Sequence, residues 1–133
     1  MFIGNKMKKI VLDTNFLLIP AQFKVDIFSE IDRIMTEPYE IYIVDKTIDE
    51  LKKIIMDTRQ KLKDRKAAGL ALQLIEAKKI PQIKTEKDKS VDDLIMGLKG
   101  YIVATQDIEL KMRLKAKKVR IITLRAKKKL IVL

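Results

Sequence analysis

Lys9-Ile10-Val11-Leu12-Asp13-Thr14-Asn15 is the stretch whose reading decides the fold. A short β-branched run ends in an acid, then Thr and Asn, and a new apolar segment follows from Phe16 to Ile19. A buried parallel strand has this pattern when it delivers a carboxylate to its C-terminal end, where open α/β sheets place their ligands. The pattern recurs: Ile41-Tyr42-Ile43-Val44 runs into Asp45, and Tyr101-Ile102-Val103-Ala104-Thr105 runs into Gln106-Asp107. Several strand-end acids, with more carboxylates on the helices between them, predict an acidic pocket at one sheet edge. The chain carries a net charge of +11, so such a pocket runs against its overall electrostatics and calls for a functional explanation.

The rest of the chain alternates in the same way. Lys9–Leu12 reads as the first strand, and Ile27, Phe28, Ile31, Ile34 and Met35 fall at helical spacing within Val25–Met35. Glu40–Val44 is the second strand, followed by helices over Thr47–Met56 and from about Arg59 to Ala77. Gln82–Thr85 is a short edge strand and Ser90–Leu98 a helix. Tyr101–Ala104 is a strand, Ile108–Ala116 a helix and Val119–Leu124 a strand, with Leu130–Leu133 as a final short one. Strands alternating with helices imply right-handed crossovers and a mostly parallel, three-layer α/β/α arrangement of about five strands. The expected organisation is a single domain over residues 1–133, with 1–8 as a short N-terminal extension.

Composition narrows the chemistry. The chain has no Cys and no His, so it has no disulfide, thiol nucleophile, imidazole base or zinc site of soft ligands. An enzyme built from these residues works through carboxylates, Lys, Tyr, hydroxyls or a metal held by hard oxygens, which favours Mg²⁺ or Mn²⁺. No apolar run reaches a membrane span, and Met1–Lys8 is too poor in apolar residues for a signal peptide, so a cytoplasmic location is the default. Twenty-nine Lys and Arg against 18 acids point to a polyanion partner, with a solvated or heat-adapted surface as the plainer alternative. Ten of those bases lie beyond Ile108, with one acid, Glu109. Arg59, Lys63, Lys111, Arg113, Lys117 and Lys118 are the candidates for gripping the backbone of such a polyanion, RNA or DNA.

Each acid has an ordinary role to weigh against a site role. Asp13 and Asp107 both stand where a helix N-cap belongs. Three adjacent polar groups in Asp13-Thr14-Asn15 exceed what one helix start requires. The pair Asp92-Asp93 separates on a helical wheel: Val91, Leu94, Ile95 and Leu98 form the buried stripe, Asp92 flanks it, and Asp93 lies nearly opposite. The same test prefers Glu50 to Asp49 against Ile48, Leu51, Ile54 and Ile55. Asp13, Glu50, Asp92 and Asp107 then come from four segments, and like charges so gathered raise one another's pKa unless a cation compensates them.

These residues also carry a family resemblance. Ile10-Val11-Leu12-Asp13-Thr14-Asn15, Glu50-Leu51, Asp92-Asp93-Leu94-Ile95 and Thr105-Gln106-Asp107 resemble, in order and spacing, the four acidic motifs of PIN-domain nucleases, over essentially the whole chain. Pro20-Ala21-Gln22-Phe23-Lys24-Val25-Asp26 and Tyr101–Asp107 look most like the archaeal and eukaryotic rRNA-processing branch. Two departures stand out: Gln106 replaces a more usual Asn or Arg, and Ala116-Lys117-Lys118 replaces a Gly-rich turn.

The resemblance implies a five-stranded parallel sheet and a metal-dependent endoribonuclease, often a homodimer. Asp13, Glu50, Asp92 and Asp107 would bind one or two Mg²⁺ or Mn²⁺ ions, with Asn15 and Thr105 orienting them from behind. The role is either rRNA processing with a ribosome-assembly partner or a toxin ribonuclease with a small antitoxin. A catalytically silent RNA-binding or assembly factor on the same fold is the competing reading. A phosphoacceptor signalling domain also clusters Asp on a doubly wound sheet, but has no need of a basic surface.

Overall fold

A computed structural model describes residues 7–133. The central strand β1 (Lys8–Leu12) lies between β2 (Tyr39–Val44) and β4 (Tyr101–Ala104), parallel to both. Beyond β2 sits the two-residue β3 (Gln82–Ile83); beyond β4 come β5 (Ile121–Arg125) and β6 (Lys129–Val132), giving the order β3-β2-β1-β4-β5-β6. The expected first strand gains Lys8, which therefore belongs to the sheet rather than to an N-terminal extension; residues 1–6 lie outside the described residues.

The alternation of apolar residues along β1 builds two cores. Ile10 and Leu12 face one layer, where α1 (Ile19–Phe23), α2 (Ile27–Ile34) and α4 (Leu62–Ala77) supply Ile19, Ile27, Ile31, Ala67, Ala68 and Ala71. Val11 faces the other, with Val91 and Ile95 of α5 (Val91–Met96) and Leu110 and Leu114 of α6 (Ile108–Ala116). Successive side chains point to opposite faces of a strand, so one five-residue segment nails both helical layers to the sheet. The expected α/β/α architecture is the one observed.

Several boundaries differ from the sequence reading, and three of them have physical reasons in side-chain bonds. The helix expected from Val25 starts at Ile27, because the Asp26 side chain accepts the Phe28 and Ser29 N–H groups and caps it. The helix expected from Arg59 starts at Leu62, because Arg59 turns back to pair with Asp57. The expected edge strand Gln82–Thr85 stops at Ile83, where Asp45 accepts both the N–H and hydroxyl of Thr85. The sheet has six strands against an expected count of about five; the sixth is the final short strand read at Leu130–Leu133, here Lys129–Val132, and β6 is antiparallel to β5. A tight turn joins them, with Ala126 and Lys127 both at positive φ and the Lys128 N–H donating to the Arg125 carbonyl.

The outer edge of β6 is covered. Glu30 and Arg33 of α2 form an ion pair; Glu30 Oε1 accepts the Leu130 N–H at 2.9 Å, and Arg33 donates to the Leu130 carbonyl at 2.9 Å. Among the described residues no helix is long and apolar enough to cross a membrane.

Candidate active site

The strand order reverses at β1: β2 and β3 continue to one side, β4 and β5 to the other. The C-terminal ends of β1 and β4 therefore flank the switch point, the usual ligand crevice of an open α/β sheet. Leu12 pairs with Ala104, so the next residues, Asp13 and Thr105, emerge side by side. The Asp13 N–H still donates to the Ala104 carbonyl at 2.9 Å, which fixes the position of its side chain.

Both Asp13 oxygens are occupied. Oδ1 accepts the Thr14 N–H and Oδ2 the Thr105 hydroxyl, each at 2.8 Å, and the residue is only 2% exposed. An N-cap would accept N–H groups further into the helix. The short 3₁₀ helix Asn15–Leu18 that follows has no side-chain cap bond, so Asp13 is not a cap. Asp107 is one: its Oδ1 accepts the Leu110 N–H at 2.8 Å at the start of α6. The Thr105 hydroxyl links the two acids, donating to Asp13 while accepting the Asp107 N–H at 3.0 Å.

Glu50 comes from the second turn of α3 (Lys46–Met56), and its Oε1 accepts the Thr14 hydroxyl at 2.7 Å. Thr14 is buried, and its role escaped the sequence reading. The available signal was the unbroken polar run Asp13-Thr14-Asn15; what hid the role is a partner 36 residues away. Glu50 is half-buried, whereas Asp49 is exposed and pairs with Lys87 at 3.1 Å. Asp92 is likewise half-buried on the first turn of α5, whereas Asp93 is exposed and accepts from Arg113 at 2.9 Å. Both wheel assignments match the observed burial.

The four acids sense one another. Burial pushes the Asp13 carboxyl up to about 6; the Thr105 bond opposes this, while the charges of Asp92 and Glu50 add to it. Asp92 is also held above the usual carboxylate range, first by burial and then by Asp107 and Glu50. Asp45, the other strand-end acid, stands apart from this field. Its burial is outweighed by the two Thr85 hydrogen bonds, which hold it low and stitch β3 to the end of β2.

Among the described residues no three acids are drawn together tightly enough to hold a metal ion as they stand. Every donor here is nonetheless a hard carboxylate oxygen, and two of them, Asp13 and Asp92, are held above their ordinary values, which is the donor chemistry Mg²⁺ and Mn²⁺ take.

The remaining expected residues are scattered. Asn15 is exposed and lines a groove beside Glu50 rather than touching the acids. Lys111 lies in the first half of α6, and Arg113 in its last turn, where it pairs with Asp93. Lys117 and Lys118 follow its far end, where Lys117 lies beside Gly100 and Tyr101 at the start of β4. Arg59 is in the turn before α4 and Lys63 in that helix's first turn. Gln106 does not face the acids: its Oε1 accepts the Thr123 hydroxyl and Leu124 N–H, tying β4 to β5.

Residues 10–127 match the family model described as "PIN like domain". The chain belongs to the PIN-domain family. A similar protein is ribonuclease VapC4 of Methanocaldococcus jannaschii, 32% identical over 123 residues that cover 92% of this chain and 94% of the relative. Among solved structures, the PIN domain endonuclease Utp24 matches with a TM-score of 0.75 at 25% identity, covering 93% of this chain and 90% of its own. Both are named as nucleases, and the present chain is a PIN-domain nuclease by family.

Proposed function

We propose that this PIN domain, as one unit over residues 1–133, is a metal-dependent endoribonuclease that cleaves RNA phosphodiester bonds. The observation that carries the reading is the mutual electrostatic field of Asp13, Glu50, Asp92 and Asp107 at the switch point of the sheet. These four residues would hold one or two Mg²⁺ or Mn²⁺ ions. A bound divalent ion supplies charge neutralisation at the scissile phosphate, a more acidic attacking water and support for the leaving oxygen.

The chain's own groups prepare the site for that chemistry. The Thr105 hydroxyl and Thr14 N–H orient the Asp13 carboxylate, and the Thr14 hydroxyl sets Glu50. Asp107 keeps one oxygen for its helix cap and presents the other. Arg113, whose charge reaches Asp92, would meet the phosphates near the cut, and Arg59, Lys63, Lys111, Lys117 and Lys118 would grip the rest of the RNA backbone. A cytoplasmic homodimer, working either in rRNA processing beside an assembly partner or as a toxin ribonuclease held by a small antitoxin, accommodates this reading.

Single-stranded RNA incubated with the purified protein should be cut internally with Mg²⁺ or Mn²⁺ and left intact in excess chelator. Undiminished cleavage in chelator removes the mechanism. No cleavage under any metal leaves the silent RNA-binding factor as the better description.

A further inference from the structure

The acids account for the switch point but not for the groove that opens beside it. A cleft of about 540 Å³ runs along α3 from Thr14 and Asn15 past Glu50 to Gln60. Its volume lies within the roughly 300–1,000 Å³ usual for small-molecule sites. Lys46, Glu50 and Lys53 recur at spacings of four and three on α3, so they share one helical face. Lys53 stands one turn beyond Glu50, roughly 5 Å along the helix axis.

The groove's charge is settled by its pairings. Asp49 is committed to Lys87, and Asp57 to Arg59 at 2.9 Å. Lys46 is held by the carbonyls of Lys87 and Lys89, which fixes its ammonium at the groove wall. Among the described residues Lys53 makes no ion pair; its charge helps to hold Asp57 low, and its exposed ammonium at the groove can also meet an anion. Ile54 supplies a partly buried apolar wall, and Asn15 and Gln60 each bring an amide with both donors and an acceptor.

We propose that this groove is a nucleotide subsite, holding the RNA residue next to the scissile phosphate; the assignment rests on the ribonuclease reading above. Lys53 grips the neighbouring phosphate, the base packs on Ile54, and the Asn15 and Gln60 amides meet its edge. Amides can reach that edge only when the base is unpaired, so the substrate is single-stranded there. Lys53 is thus a binding residue and Gln60 a specificity residue, neither of them touching the acids.

The test separates binding from chemistry. Anisotropy of a labelled single-stranded RNA oligonucleotide is followed in chelator, where the proposed cleavage is off, over a range of salt. Lys53→Gln should weaken binding about three- to tenfold and lower the salt slope by about one. Lys79→Gln, which removes the same charge outside the groove, should cost clearly less. In the metal-loaded protein, Gln60→Ala should raise KM and relax the base preference beside the cut while kcat stays close to the parent value.

Equal losses in Lys53→Gln and Lys79→Gln would mean that net charge alone is felt, and the subsite is refuted. So it is if the parent cuts RNA and Lys53→Gln binds as tightly as the parent. If the parent neither binds nor cuts RNA, the ribonuclease reading falls and the subsite with it. Lys53 is exposed, so a melting temperature equal to the parent's confirms that the variant is folded.

Discussion

Replacing Asp13 by Asn should make the metal-free domain more stable at neutral pH while abolishing cleavage. Moving this carboxyl from 3.8 to about 6 corresponds to about 3 kcal/mol between its protonation states. The folded state binds the proton more tightly than the unfolded state, so the domain loses that amount as pH rises through the interval and recovers it in acid. Asn is neutral at every pH but offers one acceptor oxygen where the carboxylate offers two. It therefore forfeits part of the bonding to the Thr14 N–H and Thr105 hydroxyl, at about 1 kcal/mol.

The net gain is about 2 kcal/mol at about pH 7.5 and close to zero at about pH 4.5, where the parent carboxyl has regained much of its advantage. At roughly 3–5 °C per kcal/mol for a domain of this size, calorimetry in chelator should place the Asp13→Asn variant several degrees above the parent at about pH 7.5 and level with it in acid. Saturating Mg²⁺ or Mn²⁺ should then raise the parent, by about 2.7 kcal/mol at a hundredfold excess over Kd, and scarcely move the variant. A variant that melts lower at both pH values would refute the argument from burial and like charge, and one that keeps the full metal shift would refute the metal site.

Asp92→Asn should abolish cleavage whereas Asp93→Asn should largely spare it, because only Asp92 lies within the field of the other acids; equal losses in folded proteins would break that distinction. Lys118→Gly should raise the melting temperature by the equivalent of up to about 1 kcal/mol, since Lys118 adopts positive φ after α6 where glycine is strain-free; an unchanged or lower value contradicts this. Gln106→Ala should destabilise by about 1–3 kcal/mol in denaturant titrations, because it strips the acceptor from Thr123 and the Leu124 N–H, and a loss below a few tenths would show the strand tie to be idle.

The site was legible wherever local periodicity determines direction. The run before Asp13 announces a buried strand, and a strand-end acid must emerge at the sheet's C-terminal edge. The helical wheels separated Glu50 from Asp49 and Asp92 from Asp93 because burial on a helix follows the roughly 3.6-residue repeat. What escaped were features decided by distant partners or by strained backbone. Nothing near Thr14 announces Glu50, and the tie from Gln106 to Thr123 and Leu124 depends on two strands meeting. The two strands β5 and β6 were legible but their antiparallel pairing was not, because the turn places Ala126 and Lys127 at positive φ, where Asn-Gly would have been the recognisable signal. The start of α4 was misplaced because Arg59 is a good helix former that prefers its bond to Asp57.

The clasp of Glu30 and Arg33 on Leu130 has a consequence for the order in which the molecule can form. These bonds join residues 100 and 97 positions apart, whereas the hairpin carrying Leu130 closes locally. Contacts of such sequence separation require the intervening chain to be organised before they repay its entropy. α2 can acquire its helical turns early, yet its ion pair has no backbone to hold until Leu130 is delivered. During synthesis on the ribosome, the α2 face is therefore finished only when a segment about 100 residues further along has emerged. A chain interrupted before Lys129 would expose the apolar side of α2 together with the bare edge of β5, a combination that favours aggregation and proteolysis.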